Sequence, residues 1–102
     1  MKVFISELAE KKLENLTAYL LEEWGMEVKR EFLAKLDKKI TQISLHPESC
    51  PKSRELGGVY RCNVSKQTSF FYRIDLKMQE IEIITFYDVR QDPGKIKNLL
   101  QK

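Results

Sequence analysis

The sequence is poor in the residues from which metal centres, disulfide frameworks and membrane spans are built. It holds two cysteines, Cys50 and Cys62, and one histidine, His46, in 102 residues. The cysteines lack C-x-x-C spacing and are too few for a disulfide framework. They read as a loop thiol and a buried strand residue, so neither a metal nor a cofactor is expected. A lone imidazole titrates near neutrality and is chemically able to act as a general base. Beside Pro47 at a helix end, however, capping or plain exposure accounts for His46 better. No apolar run approaches the ~20 residues needed to cross a bilayer, so no membrane partner is expected. The start, Met1-Lys2-Val3-Phe4-Ile5-Ser6-Glu7, turns acidic too soon for a signal peptide. The length also excludes a two-domain cofactor fold and a large enclosed pocket. The expectation is one reduced, cytoplasmic domain spanning 1–102.

What is present is an ordinary globular mixture with an uneven charge distribution. Apolar residues make up 42% and charged residues 32%, too apolar for a disordered chain. The net charge is only +3, but it is not spread evenly. Residues 1–27 carry three Lys against six Glu, and residues 28–46 carry five basic against two acidic groups. From 52 to 73, Lys52, Arg54, Arg61, Lys66 and Arg73 face Glu55 alone; from 90 to 102, Arg90, Lys95, Lys97 and Lys102 face Asp92. Clustered basic charge hints at a polyanionic partner. A solvated surface is the plainer reading of the same runs.

Hydrophobic period gives the elements. Val3-Phe4-Ile5 is a short first strand. Ser6 is a good N-cap, with Glu7 and Glu10 where the helix dipole favours negative charge. Ala9, Leu13, Leu16, Leu20 and Trp24 then mark one face of a helix that Gly25 ends. Val28, Phe32, Leu36, Ile40 and Ile43 mark a second helix, stopped before His46-Pro47. So short a link folds the two into an antiparallel pair. Residues 46–58, with Pro47, Pro51 and Gly57-Gly58, read as a loop. Thereafter the period is two: Tyr60, Cys62 and Val64; Phe70, Tyr72, Ile74 and Leu76; Ile81 and Ile83. Asp92-Pro93 signals a last helix, with Ile96, Leu99 and Leu100 on its apolar side. The order β-α-α-β-β-β-α predicts an α+β fold: an N-terminal strand and a two-helix hairpin packed on an antiparallel sheet. If the helices cover Tyr60, Phe70, Tyr72 and Ile74, Arg61 and Arg73 project onto the open face, and Arg90 is placed to approach it.

Three stretches carry a resemblance. Arg54-Glu55-Leu56-Gly57-Gly58-Val59-Tyr60-Arg61 leads into Phe70-Phe71-Tyr72-Arg73-Ile74, and Glu82 to Pro93 forms a last strand with its exit turn. With the element order, these resemble the RelE/ParE superfamily of toxins from bacterial type II toxin–antitoxin pairs, over essentially the whole chain. The resemblance implies a growth-inhibiting toxin neutralised by a cognate antitoxin, which reaches operator DNA only through that antitoxin. RelE-like members cut messenger RNA on the ribosome; ParE-like members inhibit DNA gyrase. Cleavage through the 2′-hydroxyl needs a proton acceptor, a proton donor and positive charge at the phosphorane. The RNase members usually place an arginine at the opening of the middle strand, where this sequence has Ser69.

Three readings follow. The first, favoured by Ser69, is a ParE-like inhibitor that binds a protein target such as gyrase. The second is a ribosome-dependent endonuclease with Arg61, Arg73, Arg90 and Tyr87 in catalysis and Lys52, Arg54 and Lys66 on RNA or ribosome. The third is an inactive family member kept as a binding module. In each, Ile96, Leu99 and Leu100 are a candidate contact for the antitoxin.

Overall fold

The computed structural model describes residues 1–91. The expected terminal helix, with Asp92, Pro93, Ile96, Leu99 and Leu100, lies outside them. The described elements are β1 (Lys2–Ile5), α1 (Glu7–Trp24), α2 (Met26–Leu45), β2 (Tyr60–Asn63), β3 (Thr68–Asp75) and β4 (Glu80–Asp88).

Each helix begins and ends where local chemistry dictates. The Ser6 hydroxyl accepts from the Ala9 N–H at 3.0 Å and donates to the Ile84 carbonyl at 2.8 Å. One side chain therefore caps α1 and ties it to β4. Gly25 lies at φ 93°, in the left-handed region, and its N–H closes α1 on the Leu20 and Leu21 carbonyls. Its carbonyl then accepts from Lys29, so a single residue separates the helices. Ala9, Leu16 and Leu20 of α1 and Phe32, Leu36 and Ile43 of α2 are buried, as their spacing predicts. Trp24 departs from the predicted stripe. It is 53% exposed at the last turn of α1, with the Arg90 guanidinium over its ring.

The sheet order is β1-β4-β3-β2. The β2-β3-β4 meander is antiparallel as expected, but β1 pairs parallel with β4, so the sheet is mixed. A helical hairpin returns the chain to the far end, which is why the two strands run in the same direction. Tyr60, Cys62, Phe70, Tyr72, Ile81 and Ile83 face the helices. Leu76, read from its parity as an inward strand residue, lies in the β3–β4 turn and is 71% exposed. The 46–58 segment is more ordered than a loop reading implies. Ser53 N–H donates to the Val59 carbonyl and Arg61 N–H to the Pro51 carbonyl, with Lys52 bridging to Tyr60. This short pairing covers the outer edge of β2.

A bulge sets the geometry of the second half. Phe71 pairs with Thr85 but Tyr72 pairs with Ile83, leaving Ile84 extra on β4. The extra residue reverses the inward parity of β4. Ile81 and Ile83 point inward before it, and Phe86 packs against Phe70 after it.

Candidate functional site

On the face away from the helices, the strands bring two polar rungs together. Asn63, Ser69 and Tyr87 form one rung; Arg61, Phe71 and Thr85 form the next. Arg73 follows on β3, opposite Glu82. Ser69, Phe71 and Thr85 are buried, so the centre of the two rungs is closed to solvent.

Arg61 is held from three sides. Its guanidinium lies 5.6 Å over the Phe71 ring, its Nε donates to Ser69 Oγ at 3.3 Å, and Nη1 is 3.7 Å from Glu55. Ser69 in turn donates to Asn63 Oδ1 at 2.8 Å. A third of the Arg61 side chain stays accessible. Glu55 is held below the usual carboxylate range by its own backbone N–H and by the Ser53 hydroxyl, with a smaller contribution from Arg61. Glu55 therefore stays ionised at neutral pH. Arg73 gives both Nε (2.8 Å) and Nη2 (2.6 Å) to one oxygen of Glu82.

The other basic candidates do not join this face. Lys52 lies directly across from Tyr60 and so shares the helix side of the sheet, lining a cleft with Glu48, Ile74 and Leu76. Arg54 is exposed in the loop and Lys66 in the β2–β3 turn. Arg90 corrects the expectation that it approaches Arg61 and Arg73. The bulge turns Asp88 inward, and Arg90 follows it. Arg90 donates Nε (3.1 Å) and Nη2 (2.8 Å) to Asp88, sits 5.8 Å over the Trp24 ring, and receives the Tyr19 hydroxyl on its carbonyl. Burial pushes Asp88 up, but hydrogen bonds from Arg90 and Thr68 outweigh it and leave its carboxyl below the ordinary range. The bond to Asp88 raises Arg90 in return. His46 lines a separate cleft with Met1, Leu45 and Pro47 at the end of α2.

The outer face thus offers two guanidinium groups, each ion-paired: Arg61, a third accessible and held from three sides, and Arg73, more exposed and bound to Glu82. Glu55 is a weak base because its pKa is depressed, and the imidazole is elsewhere. Among the described residues no group of three or more His, Cys, Asp or Glu is placed to hold a metal. Asn63 and Glu55 were not singled out as site residues by sequence. The parity that Asn63 shares with Arg61, and the isolation of Glu55 among five basic residues, were the available signals.

The model of the ParE toxin of the type II toxin–antitoxin system parDE matches residues 3–93. The chain belongs to the ParE toxin family. Solved structures share this ParE fold at low identity. The chromosomal ParDE system of P. aeruginosa superposes at TM-score 0.70 with 14% identity, over 86% of this chain and 95% of that one. A YoeB/ParE toxin from Agrobacterium tumefaciens gives 0.64 with 15% identity, over 86% and 98%. The RelBE2 toxin–antitoxin complex of Mycobacterium tuberculosis gives 0.61 with 20% identity, over 85% and 95%. Among curated proteins no relative matches. Among the described residues, this ParE toxin has no helix long and apolar enough to cross a membrane.

Proposed function

We propose that this ParE-family toxin arrests growth in the bacterial cytoplasm by binding a protein target such as DNA gyrase, and that a cognate antitoxin neutralises it. One observation carries the reading: Ser69 lies buried between Arg61 and Asn63 at the centre of the outer face. By the resemblance, Ser69 takes the middle-strand position at which RNase members usually carry an arginine, and a serine supplies no fixed positive charge to a phosphorane. The basic run from Lys52 to Arg73, taken as one cluster in sequence, fits salt-dependent ribosome binding better. Folding divides it between two faces and two turns, and the pair on the outer face is countered by Glu55 and Glu82. The apolar spacing of Ile96, Leu99 and Leu100 is the reason to place the antitoxin contact there.

Expression of the chain in bacteria, with DNA supercoiling, translation and growth followed together, tests the proposal. Growth arrest with altered supercoiling and intact messages is the expected result. Early translation arrest with cleaved messages overturns it in favour of a ribosome-dependent endonuclease. Normal growth at confirmed expression leaves an inactive binding module.

A further inference from the structure

The two cysteines, far apart in the reading of 46–58 as a plain loop, are brought face to face by the pairing that covers β2. Lys52 bridges antiparallel to Tyr60, flanked by hydrogen bonds from Ser53 N–H to the Val59 carbonyl (2.7 Å) and from Arg61 N–H to the Pro51 carbonyl (2.9 Å). Those two bonds lie outside the 52/60 pair, which makes it a non-hydrogen-bonded rung. Carried two residues further, that register sets Cys50 opposite Cys62 on the same side of the sheet. Opposed residues at such a rung have Cα atoms about 4.5 Å apart, within the roughly 4.4–6.8 Å span that a disulfide bridges.

The side chains agree with the register. Cys50 and Cys62 belong to the same buried cluster, with Cys50 among the neighbours that raise the Cys62 thiol. Gln42 Nε2 reaches Cys50 Sγ at 4.0 Å from α2. Tyr72, whose hydroxyl holds the Pro47 carbonyl at 2.7 Å, packs beside them and fixes the start of the segment. Both residues are buried, Cys50 slightly less so. Cys62 is 1% exposed and Cys50 7%. Burial first, and then the neighbouring Cys50 thiol, push the Cys62 thiol up to about 12.

We propose that Cys50 and Cys62 form a modification site, closing reversibly to an intrachain disulfide by exchange with a low-molecular-weight disulfide such as oxidised glutathione. The Cys50 thiolate attacks one sulfur of the small disulfide, forming a mixed disulfide and releasing one small thiolate. The Cys62 thiolate then attacks Cys50 Sγ, breaking the mixed disulfide and releasing the second. Two protein thiols are oxidised, one small disulfide is reduced to two thiols, and the two cysteine protons pass to them. Closure fixes Pro51–Ser53 to the edge of β2, and with it the loop that presents Arg54 and Glu55 to Arg61. A deeply buried resolving thiol makes the exchange slow and faster at higher pH.

The test is incubation of the full chain, under native conditions, with oxidised glutathione, followed by acid quench, alkylation and peptide mapping. The expected product is a Cys50–Cys62 crosslinked peptide from a monomer lighter by two hydrogens, restored by dithiothreitol. Amide exchange across 51–59 should slow on closure. In Cys50→Ser and Cys62→Ser no internal bond can form, so the protection of 51–59 should stay at the reduced level with the oxidant present. A stable glutathione adduct without the internal bond overturns the proposal. So does an intermolecular dimer, or two thiols that stay free. A crosslink that appears only in denaturant sufficient to unfold the chain overturns it as well.

Discussion

Arg90 and Asp88, two residues apart, form a bidentate pair on the helix side of the sheet, and Thr68 closes the other side of the carboxylate with a further hydrogen bond. The Asp88 side chain is fully buried, while 19% of Arg90 remains accessible. Removing the guanidinium leaves a buried carboxylate with one side-chain donor and the Arg90 backbone N–H. Breaking a fully buried pair costs about 3–5 kcal/mol. With partial exposure of the arginine, Arg90→Ala should lower unfolding stability by roughly 1–3 kcal/mol, read from urea denaturation. A loss of toxicity in this variant would therefore report a weakened fold, and an unchanged urea midpoint would contradict the pairing.

The same pair predicts an acid response. The folded-state pKa of Asp88 is depressed, despite the opposing effect of burial, by its bonds to Arg90 and Thr68. A carboxylate with a depressed folded pKa adds stability above its unfolded value, about 3.9, and loses it as pH falls through the folded value. Stability should be flat in this contribution near neutrality and decline below about pH 4. Asp88→Asn should be less stable at pH 7, and the gap to the parent should narrow at the acid end of a pH series of urea midpoints. A constant gap would remove Asp88 as a source of the acid response.

Ser6 is the joint between α1 and the β4 bulge. Its hydroxyl accepts from Ala9 and donates to the carbonyl of Ile84, the residue the register skips. Loss of an N-cap costs about 1 kcal/mol, and a partly buried carbonyl without its donor adds a cost of about the same order. Ser6→Ala should therefore lose roughly 1–2 kcal/mol. Ser6→Asp should keep the cap and lose only the donor, falling between the two in urea midpoint.

That joint also explains what could and could not be read from the sequence. The helices were legible because Ala9, Leu16, Leu20, Phe32 and Leu36 keep one strict period, and the Ser6 and Gly25 signals act locally. The inward side of β2 and β3 was legible for the same reason at period two. The Ile84 bulge was not, since Ile83, Ile84 and Phe86 put apolar side chains on both parities and no local residue marks the skip. From it follow the inward turn of Asp88 and the departure of Arg90 from the outer face. The bridge from Lys52 to Tyr60 was not legible because the 51–53 pairing depends on the distant strand β2, and its own stretch, with Pro47 and Pro51, carries only loop signals. The parallel direction of β1 is equally a property of the whole chain path.

Arg61 and Ser69 separate function from fold on the outer face. Arg61 is a third exposed, and its hydrogen bond, ring contact and 3.7 Å ion pair are each of the weaker kind. Arg61→Ala should cost no more than about 1 kcal/mol while abolishing growth inhibition if the face binds the target, measured by colony formation beside urea denaturation. Ser69→Arg asks whether the RNase-type charge can be restored. Ser69 is 4% exposed between Arg61 and Asn63, so a guanidinium there must displace both partners at an overpacking cost of about 1–3 kcal/mol. The expected variant is less stable and gains no cleavage of ribosome-bound messages, because Glu55 remains a weak base and no imidazole is near. Message cleavage by Ser69→Arg would show instead that a single charge separates the two activities on this fold.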